Sequence, residues 1–241
     1  MAGWFGIGGD GAPGSIKKVR FAAVLGVENP ANLRRLIKLA RLYGLRDFKV
    51  KLGNADPQMD WARLEAALAV LRRPLAAAKA SLRVDVNGAW QPNQAAEIMA
   101  KMRDLPITAV EQPTPPGTED AWPDLYAKSG LAIWADESVS TLQDARYLAQ
   151  GRLAAGLNVR ISKCGGLSAA VRLAELSKQQ DLTLMIGCMV GETAILSAAL
   201  VQLLMIIDNA AFAEGCYGRL LLRKDVGRRV QFGYGGKVPR V

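Results

Sequence analysis

No histidine occurs among the 241 residues of this chain. Its absence removes Ser-His-Asp and Cys-His chemistry, zinc sites built on imidazole, and the commonest general base near neutral pH. Proton transfer must fall to lysine, a carboxylate, tyrosine or cysteine. Cysteine is scarce too: Cys164, Cys188 and Cys216 form no C-x-x-C pair, and their odd count suits a reducing compartment. Aromatic residues make up 6% of the chain and build no platform of alternating rings and cations for nucleic acid. The opening M-A-G-W-F-G-I-G-G-D-G lacks a basic region followed by an apolar core, so no secretory leader is expected. Long apolar runs are missing as well. The stretch from Leu184 to Ile207 is broken by Gly187, Gly191, Glu192 and Gln202, which suits a strand, turn and helix better than a membrane span. A cytoplasmic protein with neither membrane nor nucleic-acid partners is the expectation.

Half the residues are apolar and 22% are charged, the balance of a chain able to bury a core. The net charge of +9 is concentrated late: from Arg219 onward seven Lys or Arg face one acid, Asp225. Such a segment reads as a basic tail on a solvated surface. The expected organisation is a glycine-rich segment over 1–18, a folded domain over 19–218 and the basic tail over 219–241.

Apolar strand-like runs alternate with helical patterns throughout. Strands are predicted at Val19–Leu25, Asp47–Leu52, near Asp85, near Glu111, near Asp136, and at Gly156–Ser162, Leu182–Gly187 and Ala211–Glu214. Seven helices are predicted between them; the first begins at Pro30 with Asn29 as its N-cap. Strand-helix alternation implies a parallel sheet with right-handed crossovers. An open doubly wound sheet would normally carry a glycine-rich first turn, and no G-x-G-x-x-G follows the first strand. The fold class expected is therefore α/β, a (β/α)8 TIM-type barrel.

Three acids end successive strands: Asp85 in L-R-V-D-V-N, Glu111 in I-T-A-V-E-Q-P and Asp136 in L-A-I-W-A-D-E-S, spaced by 26 and 25 residues. A βα unit of such a barrel averages about 30 residues, and its strands all end on one face. Three carboxylates converging there suit a hard divalent cation, Mg2+ first and Mn2+ as its substitute. On the preceding strand, Lys49 and Lys51 in F-K-V-K-L-G point inward by alternation. A cation site beside paired lysines suits removal of a weakly acidic proton. Asn87 and Glu137 are candidates to support the metal ligands.

The ordered motifs K-V-K, D-V-N-G-A-W, V-E-Q-P, A-D-E-S, N-V-R-I-S-K-C-G-G-L, G-C-M-V-G-E-T and E-G-C-Y-G resemble the barrel domain of the enolase superfamily. Within it they resemble the group of mandelate racemase, muconate lactonizing enzyme and dipeptide epimerases. The resemblance spans about Val19 to Gly218. It implies a lyase or isomerase that removes the proton α to a small substrate's carboxylate and passes through an enediolate. Lys51 would be the base, Lys49 its electrostatic aid, and Asp85, Glu111 and Asp136 the metal ligands.

Three departures from the group follow. Its epimerases carry a second catalytic lysine on strand six, where this chain has Arg160, placed inward between Asn158 and Ser162. Arginine stays protonated and is a poor proton shuttle. One-base chemistry, such as elimination or cycloisomerisation, is favoured over two-base racemisation or epimerisation, which would need Lys163 in place of Arg160. Dipeptide epimerases also present two aspartates after strand eight, where only Glu214 stands here. Glu192, after strand seven, would orient substrate or hold a helix terminus. The group's N-terminal α+β cap is not expected in this chain, which leaves open a homo-oligomer or a separate capping partner. It also leaves open a metal-binding barrel without turnover, acting as an interaction protein.

Overall fold

A computed structural model describes residues 19–26, 29–53 and 56–239. The expected glycine-rich segment over 1–18 lies outside the described residues. Eight parallel strands run in sequence order: β1 (Ala23–Leu25), β2 (Asp47–Lys51), β3 (Ser81–Asp85), β4 (Ala109–Glu111), β5 (Ile133–Ala135), β6 (Gly156–Val159), β7 (Thr183–Ile186) and β8 (Ala210–Ala213). Closure comes from Phe21, just before β1, which pairs in parallel with Ala213, while the Ala22 amide donates to the Ala213 carbonyl at 2.8 Å. The barrel expected from the alternation is the fold found.

The helices are α1 (Pro30–Leu42), α2 (Pro57–Ala76), α3 (Pro92–Lys101), α4 (Trp122–Ser129), α5 (Leu142–Gln150), a single turn α6 (Ile161–Cys164), α7 (Leu167–Gln179), α8 (Ala194–Ile206) and a second single turn α9 (Gly218–Leu221). Seven of them bridge successive strands, and α6 and α9 are added turns. Asn29 caps α1 as expected, its side chain accepting the Asn32 amide at 2.9 Å. α2 runs through Pro74, which cannot donate to the Val70 carbonyl one turn back. Arg41 of α1 supplies that donor, its Nη1 lying 3.4 Å from the Val70 oxygen.

Strand six is shorter than expected. It ends at Val159, and residues 161–164 wind into α6, which Gly165 and Gly166 stop at φ 88° and 111°. Ser162 is therefore not an inward strand residue. Among the described residues no helix is long and apolar enough to cross a membrane.

Two apolar regions form. The larger lies between strands and helices, with Phe48, Val50, Leu64 and Leu82 completely buried. The smaller fills the bore, where Ala109, Trp134 and Met185 pack with Phe212. In the basic C-terminal stretch, Arg223, Arg228 and Arg229 are exposed. Beyond them Phe232 stacks on Phe21 with centroids 5.6 Å apart, and the Phe21 amide donates to the Gly236 carbonyl at 2.8 Å.

Candidate active site

Alternation along β2 sends Lys49 and Lys51 into the bore and leaves Phe48 and Val50 against the helices. The parallel register sets Lys51 level with Asp85, and Asp85 level with Glu111. Glu111 lies opposite Trp134, two residues before Asp136. Asp85, Glu111 and Asp136 are all completely buried.

The first group centres on the Lys49 ammonium. It lies 3.1 Å from each Glu111 oxygen, 3.4 Å from Asp85 Oδ2 and 2.6 Å from Glu214 Oε2. Burial opposes its charge, but Glu111, Glu214 and Asp85 together outweigh that and hold it above the ordinary lysine value. Lys49 is thus a fixed positive charge. Asn158 on β6 donates its amide to Glu111 Oε1 at 2.7 Å. Gly187 leaves room for that amide, since a Cβ there would stand 2.2 Å from Asn158 Oδ1.

Asp136 holds the second group. Arg160 forms an ion pair with its Oδ2, and Lys163 Nζ lies 2.6 Å from Oδ1 and 3.2 Å from the Asn158 carbonyl. Burial pulls the Lys163 ammonium down to about 7, and the neighbouring Arg160 guanidinium adds to the effect. In a closed eight-stranded barrel β2 and β6 face one another. The Lys49–Lys51 pair and the Arg160–Lys163 pair therefore flank the carboxylates from opposite walls.

Lys51 belongs to a third, more open chain. Its Nζ donates to Asn87 Oδ1 at 2.8 Å and lies 3.7 Å from Asp85 Oδ2, and Asn87 donates to Glu137 Oε1 at 3.0 Å. Glu192 sits at the rim beside Arg160, where it accepts the Met189 amide at 2.7 Å; burial raises its carboxyl above the usual range. Glu214 is buried and turned inward, its Oε1 lying 3.2 Å from Arg83 Nη2.

Two residues of this network were missed in the sequence reading. Arg83 is fully buried in the bore, with its guanidinium 4.3 Å from the Phe212 ring and 5.6 Å from that of Trp134. Standing two residues before Asp85, it was open to the same alternation argument. Gln112 follows Glu111 with a positive φ of 39°. Its Oε1 accepts the amides of Asp136 at 3.0 Å and Ser138 at 3.1 Å, so it locks the end of β5 to that of β4.

No three His, Cys, Asp or Glu side chains among the described residues form a closed metal-ligand set, because ammonium and guanidinium groups hold the carboxylates instead. The donor chemistry nevertheless suits a hard cation. Asp85 Oδ2 and Asp136 Oδ2 are buried carboxylate oxygens whose partners are the cations Lys49 and Arg160, and with Glu111 these acids stand at the ends of three consecutive strands.

An eight-stranded parallel barrel with acids and lysines gathered at the C-terminal ends of its strands defines an α/β-barrel protein of the enolase type. The chain belongs to the enolase C-terminal domain-like family, whose model matches residues 32–237. A hydrophobic dipeptide epimerase from Roseobacter litoralis is 32% identical over 181 residues, covering 74% of this chain and 50% of that protein. A chloromuconate cycloisomerase from Cupriavidus pinatubonensis is 34% identical over 169 residues, covering 70% and 44%. The crystal structure of 2-chloromuconate cycloisomerase from Rhodococcus opacus 1CP superposes with a TM-score of 0.82 at 25% identity, covering 90% of this chain and 57% of that one. The chain spans about half the length of the curated relatives it matches.

Proposed function

We propose that this chain carries the proton-abstraction site of an enzyme acting on the carbon α to a small substrate's carboxylate. The observation that carries the reading is the pair of cationic walls, β2 and β6, flanking three buried carboxylates. Asp85, Glu111 and Asp136 would hold Mg2+, and when bound it would supply positive charge to the substrate's carboxylate oxygens. An α-proton beside a carboxylate is a very weak acid, because ionisation adds a second negative charge to the same oxygens. Fixed cations aimed at those oxygens offset that charge as it develops.

Lys51 is the base in this reading. Its amine takes the α-proton, with Asn87 orienting Nζ through the 2.8 Å contact. Lys49, held charged by three acids, cannot accept a proton and acts as part of the field. Arg160 on the facing wall binds the anionic substrate and keeps its own proton. One-base chemistry follows, of the elimination or cycloisomerisation kind. The 34% identity to a chloromuconate cycloisomerase supports it.

A second reading rests on Lys163, whose ammonium reaches Asp136 from the same wall as Arg160. It would protonate the enediolate from the opposite face and give a two-base epimerase, in line with the similarity to a dipeptide epimerase.

Two experiments test the proposal. Calorimetric titration with Mg2+ should show binding that Glu111→Gln loses; wild-type protein that binds no Mg2+ would refute the metal site. Carboxylates incubated in deuterated water should exchange the α-proton with wild type and not with Lys51→Ala. Exchange with retention means one base, exchange with inversion lost in Lys163→Met means two, and exchange that survives in Lys51→Ala removes Lys51 from its role.

A further inference from the structure

The opposite end of the barrel carries a second cluster of charge. A cavity of about 460 Å3 opens where α1 turns into β2, where α2 turns into β3, and where the C-terminal segment returns across β1. Its walls include Arg20, Arg41, Arg46 and Lys79 and, among the described residues, no carboxylate. Ion pairs among the described residues all involve other groups. Arg20 and Arg41 each give one N–H to a backbone carbonyl, of Gly235 at 3.1 Å and Val70 at 3.4 Å, and their remaining donors are left over. The cavity is built from four separate parts of the chain. Gly235 donates its amide to the Tyr43 carbonyl at 2.8 Å, and the Tyr234 ring lies so close over Gly44 that a Cβ there would meet it at 2.9 Å.

We propose that this cavity binds a small anion bearing two or more phosphate groups. Four like charges on one concave wall repel each other, and the concavity focuses their field, so an anion of matching charge removes the repulsion. Guanidinium forks fit phosphate oxygens in pairs, and three arginines with one lysine exceed what a single phosphate needs. The volume falls within the range of about 300–1,000 Å3 usual for small-molecule sites. Tyr234, largely exposed at one wall, offers a ring face to a base. The anion could come from a nucleotide or from inorganic oligophosphate, and the shared chemistry is the phosphate chain.

The test is calorimetric titration of the full chain, with metal chelated, using tripolyphosphate and ADP in parallel. Arg46→Ala and Lys79→Ala remove side chains that make no hydrogen bond among the described residues, and each should weaken saturable binding about tenfold. Lys101→Ala, an exposed cation on α3, should leave it unchanged. ADP binding more tightly than tripolyphosphate, by a margin lost in Tyr234→Leu, assigns a nucleotide; equal binding assigns the phosphate chain alone. Absence of saturable binding by either anion at millimolar concentration overturns the proposal. Equal weakening by Lys101→Ala does so too, and so does far tighter binding of a polyuridylate strand, which would mark a diffuse basic surface.

Discussion

Lys49 is the residue on which the buried charges depend. Three carboxylates share its ammonium, and Lys49→Met would strand them in the bore with too few counter-charges. Breaking such a buried cluster costs about 3–5 kcal/mol, so the urea midpoint should fall accordingly. A change below about 1 kcal/mol would mean the carboxylates are not held by this lysine. The cysteines behave differently, as inert packing groups. Burial pushes the Cys216 thiol up to about 12 and Cys188 higher still. At about pH 8.5, where an ordinary thiol is half ionised, both should resist iodoacetamide in the folded protein and react after denaturation. Peptide mapping that finds Cys216 alkylated in the native state would contradict its burial.

At the scale of elements, the acids on β3, β4 and β5 were legible because the βα repeat sets strand ends at even intervals. Other residues were hidden by features no interval reports. β6 ends early because residues 161–164 wind into α6, stopped by two glycines at positive φ, and that turn carries Lys163 back onto Asp136. Glu214 turns to Arg83, which sits on a strand five positions away in the chain order, and no sequence interval reports that pairing. Gln112 acts through its side-chain amide across a strand gap, which no one-dimensional pattern encodes. The start of α5 was open to such a pattern: Thr141 and Asp144 form a reciprocal capping box. Burial alone would raise the Asp144 carboxyl, but hydrogen bonds from Ser140 and Thr141 overcome it and hold it below its ordinary value. The contribution is complete above the unfolded carboxylate value and fades as pH falls through the lowered folded one. Asp144→Asn should therefore be less stable than wild type near neutrality, by less than about 1 kcal/mol after solvent screening, with the two unfolding curves converging in acid. Parallel curves across the whole range would remove the charge from the account.

For the whole molecule, closure depends on a narrow seam. Phe21 meets Ala213 on one side and Gly236 on the other. Gly236 adopts a φ of 73°, and a Cβ there would lie 2.3 Å from the Phe21 carbonyl oxygen. Gly236→Ala should loosen the seam and lower stability by about 1–3 kcal/mol. Faster amide exchange at Phe21 and Ala22 than in β4 or β5 would accompany it; unchanged protection there would show that the C-terminal segment does not brace the barrel. The bore itself has a consequence for traffic. Arg83 lodges against Trp134 and Phe212, which pack with Met185, so side chains fill the bore on the strand positions that precede the carboxylates. A path from the far end to the carboxylates would have to cross that packed layer, whereas Lys51 stands part-exposed at the rim. The backbone of β2 joins the two ends, leading from Arg46 at the far cavity to Lys51 at the rim.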